Sequence, residues 1–348
     1  MKLSCTLFAA LAAVAVTSTA LRAWDYEGHR MVNEIALASL PADFPKFVHE
    51  ADNAERIAFL AGEPDRWRNV PDLSLRNVND PDHYLDLEQV PEAGLEIAKL
   101  PPQRTLFALE FTAGRTAHIG EFPPIDPTKN LDHTREWCGF LPWAIAENYD
   151  KLRSEFSYLK VFEELGTPAE IANAKADIVY TMGVMGHYVG DGAQPLHTTK
   201  HHHGWVGANP NGYTTAFAIH QWIDGGLIAK AGIKLSELAP NVVPAQPISL
   251  AAQPDGRDPM FVAAVNYVVA GNALVEPLYR LEKDHKLGDL PNDSVAPEGR
   301  DFVATQLLKG GETLGAIWLT AWRSAVPDTY LRKQLLLRQV AAAPAPGK

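Results

Sequence analysis

Apolar side chains recur at helical spacing along most of this 348-residue chain. Val32, Ile35, Ala36 and Leu40 fall on one face just after Gly28 and His29. Steps of three and four residues are those of a helix that buries one stripe. The spacing predicts a second helix over Pro168 to Asp191. It has proline in the first turn, a stripe of Ile171, Ala174, Ile178 and Met182, and Pro195 beyond its end. Phe217 to Ile228, Phe261 to Leu281 and Phe302 to Trp322 follow the same rhythm, and no convincing run alternates at period two. The expected fold class is all-α, a single compact multi-helix domain over residues 24–340. Proline-rich stretches near Pro101-Pro102, Pro123-Pro124 and Pro240 to Pro254 read as loops, not as domain boundaries. The Ala-Pro tail, residues 341–348, is expected to be disordered.

The first residues do not fit that pattern. Lys2 is followed by an apolar run, Leu7 to Val16, and by small residues to Ala23. This is the layout of a secretory signal peptide over residues 1–23. The run is too short to cross a bilayer, and no later stretch reads as a span, so stable membrane insertion is not expected. Ser18-Thr19-Ala20 would place the cut before Leu21, and Ala23 would place it before Trp24; spacing alone leaves both open.

Removing residues 1–23 takes away Lys2 and Arg22 and no acid. The net charge then moves from −11 to −13, with 29 basic side chains against 42 acidic ones. Such a chain cannot hold duplex nucleic acid by counterion release alone. Bound cations would change that locally. Once Cys5 has left with the leader, Cys138 has no partner for an intramolecular disulfide. It reads as a small buried hydrophobe. Export without disulfides suits a periplasm.

The chemistry gathers in His187-Tyr-Val-Gly-Asp191-Gly-Ala-Gln-Pro-Leu-His197. On a helix, His187 and Asp191 project from one face a turn apart, which is a chelating geometry. Pro195 turns the chain so that His197 can return. His220 and Asp224 repeat the spacing among Phe217, Ile219, Trp222 and Ile223. A carboxylate in that setting needs a partner. Trp24-Asp-Tyr-Glu-Gly28-His29 adds a third piece if Trp24 is the first residue, because a free α-amine is a competent nitrogen ligand. Asp65 and His83 have no local spacing to recommend them over Asp52, Asp82 or His49.

In order, Trp24, His29, Asp65, His83, then His187, Asp191 and His197, and finally His220 and Asp224 make a pattern that resembles a known superfamily. It joins secreted single-strand-specific nucleases to bacterial zinc-dependent phospholipases C. The resemblance spans about Trp24 to Asp224 and implies an all-helical protein with about three zinc ions in a cleft. It further implies a cut before Trp24. Asp65, His83, His187 and Asp191 would hold one zinc, and Trp24, His29 and the bridging Asp191 its neighbour. His197, His220 and Asp224 would hold the third. Two zincs about 3.5–4 Å apart share a water and make hydroxide at neutral pH. The implied catalytic residues are Asp65, Asp191 and Arg68, the last reaching the phosphate.

Three features point to the nuclease branch: Tyr84 directly after His83, Asp224 rather than glutamate in the last pair, and a long C-terminal helical part. The nuclease branch implies single-stranded DNA or RNA as substrate and 5′-phosphate products. Two departures point away: the His201-His202-His203 loop with Trp205 and Tyr213, and the long His83–His187 segment. Trp205 and Tyr213 either line the cleft beside Tyr84 or pack the loop, and the three histidines read as a solvated loop or rim. The expectation is a monomeric, exported phosphodiesterase. A phospholipase C is the alternative, and a non-catalytic zinc-binding protein the minor one.

Overall fold

The computed structural model describes Trp24, residues 26–290 and residues 293–342. The predicted leader, residues 1–23, lies outside the described residues, as does the tail from residue 343. In chain order the helices are α1 (Tyr26–Ser39), α2 (Ala51–Leu60), α3 (Glu63–Arg68), α4 (Leu73–Asn79) and α5 (Gln89–Glu92). Then come α6 (Arg104–Ala117), α7 (Leu141–Leu165), α8 (Pro168–Ala193), α9 (Ile219–Gln221), α10 (Leu227–Ala231) and α11 (Leu235–Leu238). The last four are α12 (Pro259–Asn272), α13 (Val275–Lys283), α14 (Pro297–Ser324) and α15 (Thr329–Ala342). No strand occurs among the described residues, so the fold is all-α as the periodicity predicts.

Helix α8 is the axis of the fold. It opens on a capping box, in which the Thr167 hydroxyl accepts from the Glu170 N–H and the Glu170 carboxylate accepts from the Thr167 N–H. Its second half, Thr181 to Ala193, is buried on every side. Helices α1, α2, α7, α12 and α14 pack around it. A helix enclosed in this way can present polar side chains to an interior cleft. The same enclosure lets α1, whose Val32, Ile35 and Ala36 are fully buried, bring its first turn to the far end of α8.

Three elements differ from the sequence expectation. The predicted Phe217–Ile228 helix begins only at Ile219 and passes through a π-helical turn, Trp222–Gly226, before α10. The predicted Phe261–Leu281 helix breaks at Ala273 and Leu274 into α12 and α13. The stretch Pro259–Lys283 is nonetheless long and apolar enough to pass as a membrane span by length and composition, with a mean hydropathy of 1.4, which corrects the expectation that none does. Its first half packs on α7 and α8. Helix α15 continues through Ala342, so the first two residues of the predicted disordered tail, 341 and 342, are helical. Cys138 is fully buried and its thiol unpaired, as expected.

One buried contact in this scaffold sets a pH dependence. Thr181 on α8 donates to Oε1 of Glu155 on α7 at 2.6 Å, while Oε2 has no partner. Burial pushes the Glu155 carboxyl up to about 7. A carboxyl raised in the folded state favours folding below its unfolded value, and that contribution disappears as pH rises through about 7. Glu155→Gln keeps the acceptor without the charge. Its melting temperature should exceed the wild type's at pH 8.5 and match it near pH 4; equal melting curves at both would contradict this.

Candidate metal centre

Eight of the nine residues that carry the resemblance come together at the end of α8. His29 reaches it from α1, Asp65 from α3, His83 from the 3-10 turn Asp80–His83, and His187 and Asp191 from α8 itself. His197 comes from the 3-10 turn Pro195–Thr198, His220 from α9, and Asp224 from the π-helical turn Trp222–Gly226. His29, His83, His187 and Asp191 are 0% exposed, and His197 and Asp224 2%.

The donor atoms form three groups: His29 with His187 and Asp191, Asp65 with His83 and His187, and His197 with His220 and Asp224. The Nδ1 of His83 lies 2.9 Å from the His187 Nε2 and 3.1 Å from Asp191 Oδ2. Asp191 Oδ2 is 3.4 Å from the same His187 nitrogen, and its Oδ1 is 3.5 Å from His29 Nε2. The two oxygens of one carboxylate therefore face different groups. In the third group, His220 Nε2 is 3.0 Å from His197 Nε2 and 3.2 Å from Asp224 Oδ2. Nitrogen ligands about 2.0–2.1 Å from one tetrahedral zinc stand roughly 3.3 Å apart, so the separations suit a shared ion.

The outer contacts select which nitrogen is free. His187 Nδ1–H donates to the Ala61 carbonyl at 2.7 Å, and His197 Nδ1–H to the His83 carbonyl at 2.8 Å. In each ring this leaves Nε2 with its lone pair aimed into the site, which is how metal-binding histidines are held. Burial is the main reason that the His29, His83, His197 and His220 rings stay neutral far below the usual imidazole range, with His187 near 4. Neutral imidazole is the ligand form. Both ring nitrogens of His29, His83 Nε2 and Asp191 Oδ1 are buried without a hydrogen bond. Burial likewise pushes the Asp191 carboxyl well up. Asp65, Asp80, Asp191 and Asp224 act on the single Arg68 guanidinium, and bound cations would relieve that imbalance. The residues fit metal ions on these grounds.

Backbone shape matters at Gly190. A Cβ there would lie 2.8 Å from the His29 ring, so only glycine lets α8 pass this close to α1. Trp24 is 0% exposed and its indole N–H donates to the Gly190 carbonyl at 2.8 Å, beside Asp191. Arg68 places Nε and Nη2 each 2.8 Å from Asp65 Oδ1, with Nη1 3.8 Å from Asp80. Burial opposes its charge, and Asp65, Asp80 and Asp191 outweigh that.

The residues expected to touch substrate separate. Tyr84 is half-buried directly after His83. Tyr213 is only 5% exposed, and its hydroxyl donates to Glu276 at 3.2 Å. Trp205 stacks on His201 at 3.9 Å and leans on Tyr213 and Tyr279. Both pack the loop. The His201–His203 loop is less solvated than expected: His201 is buried, His202 turns Nδ1 toward the Thr199 carbonyl at 3.1 Å, and His203 stands 5.2 Å from the His220 ring with Phe217 behind it. Sequence reasoning passed over Gln194, which donates to Asp224 at 2.7 Å. Its place three residues after Asp191 was the only signal.

Comparison with family models, with curated proteins and with solved structures finds no match to this chain.

Proposed function

We propose that this chain is an exported, zinc-dependent phosphodiesterase that hydrolyses single-stranded nucleic acid to 5′-phosphate products. One observation carries the reading: eight residues matched in order to the ligand pattern of the zinc-dependent nucleases and phospholipases converge into three buried donor groups. The specific fold of that superfamily and the identity of the ion as zinc belong to the same proposal. Zinc bound there would supply Lewis acidity and an acidified water.

The chain's own residues do the rest. Asp191 joins two donor groups with its two oxygens. Asp65 holds the Arg68 guanidinium at the edge of the site, where it meets the charge of a phosphate. Tyr84, half-buried directly after His83, is the side chain on which a base would stack. The acidic balance gives no surface for a duplex, so single strands are favoured.

Tyr84 separates the substrates. Tyr84→Ala should raise KM for single-stranded DNA about ten- to a hundredfold, the roughly 1–3 kcal/mol of a lost stack. Hydrolysis of bis-nitrophenyl phosphate, which has no base, should change far less. Equal effects on both would contradict the nuclease reading.

A phospholipase C is the second reading, and α4 favours it. This helix lies between α3 and the turn that carries His83, buries none of its residues, and exposes Leu73, Leu75 and Val78. An apolar lip beside a phosphodiesterase site suits lipid. Release of phosphocholine from dispersed phosphatidylcholine, with no cleavage of single strands, would establish it.

A further inference from the structure

Gln194 closes α8 and opens the following 3-10 turn, and it is fully buried. Its main-chain N–H donates to the Asp191 carbonyl at 3.0 Å. Its side-chain Oε1 accepts from the Leu196 N–H at 2.6 Å. An amide whose oxygen is fixed by a backbone donor has its NH2 at the other tip. That NH2 donates to Asp224 Oδ1 at 2.7 Å. The other oxygen, Oδ2, faces His220 Nε2 at 3.2 Å.

We propose that Gln194 is a positioning residue for the third metal ion: it selects Oδ2 of Asp224 as the ligand oxygen and ties that site to the end of α8 that carries Asp191. The proposal rests on the metal-centre reading. A ligating carboxylate is held by outer donors, and losing such a donor lowers metal affinity by about ten- to a hundredfold. Gln194→Glu has the same shape and keeps an acceptor for the Leu196 N–H. It withdraws the proton from Asp224 and sets a negative charge against it.

Zinc titration of the full chain against a competing chelator at pH 8 tests this. The wild type should bind three ions. Gln194→Glu should bind two with wild-type affinity and the third about ten- to a hundredfold more weakly. If that variant fails to fold, Gln194→Met removes the donor without adding charge and should show the same selective loss. Three ions in the wild type with an unchanged third affinity in the folded variant overturns the Gln194 proposal alone. Uniform weakening of all three ions marks a merely structural role and also overturns it. A wild type that binds no third ion overturns the proposal and the metal-centre reading together.

Discussion

Asp191→Asn should abolish turnover and remove metal from the chain. The loss should exceed the roughly 10–100-fold that follows from losing an outer partner of a ligand. Asp191 is fully buried, and its oxygens lie 3.4 and 3.5 Å from nitrogens of His187 and His29 and 3.1 Å from His83. An amide at this position keeps one oxygen and loses the negative charge, so it can serve one neighbouring group and not both. Thermal stability should fall as well, because ligation contributes folding energy wherever the unfolded chain has no site. Metal content by elemental analysis, melting temperature and single-strand hydrolysis should all drop together. A variant that keeps a tenth or more of wild-type turnover would show that Asp191 joins nothing essential.

The second large effect is expected at the amino terminus. A chain that retains one extra residue ahead of Trp24 should lose one of its ions and most of its activity. A free α-amine with a pKa of about 8 can ligate, whereas an amide nitrogen is a poor zinc ligand. The Trp24 indole N–H donates to the Gly190 carbonyl at 2.8 Å, and a Cβ at Gly190 would meet both the His29 and the Trp24 rings. That anchor brings the residue to the paired groups. Mass spectrometry of the extended and the Trp24-first forms, each titrated with zinc, reads the difference. N-terminal sequencing that finds Leu21 first in an active preparation would contradict it.

How much of this was legible in the sequence depends on how far apart the partners lie. His187 and Asp191 sit one turn apart on a long helix, so their spacing alone suggests a chelate, and the structure places them 3.4 Å apart. His220 and Asp224 read the same way, although α9 ends at Gln221 and Asp224 stands on the π-helical turn Trp222–Gly226. Asp65 and His83 are different. They stand on a six-residue helix and a four-residue 3-10 turn, elements too short to leave a periodic trace. His83 meets Asp191 across 108 positions. Only an ordered resemblance to known ligand sets could select them. The break between α12 and α13 went unseen because apolar residues continue through it. For Trp205 and Tyr213 the sequence left cleft lining and loop packing both open, because the partner that decides, Tyr279, stands on a helix some seventy residues away.

The central claim is that three buried donor groups hold three ions. Elemental analysis of the purified, active, Trp24-first chain after exhaustive dialysis against metal-free buffer tests it most directly. The expected result is about three zinc ions per chain. One ion or none in a folded and active preparation would contradict it.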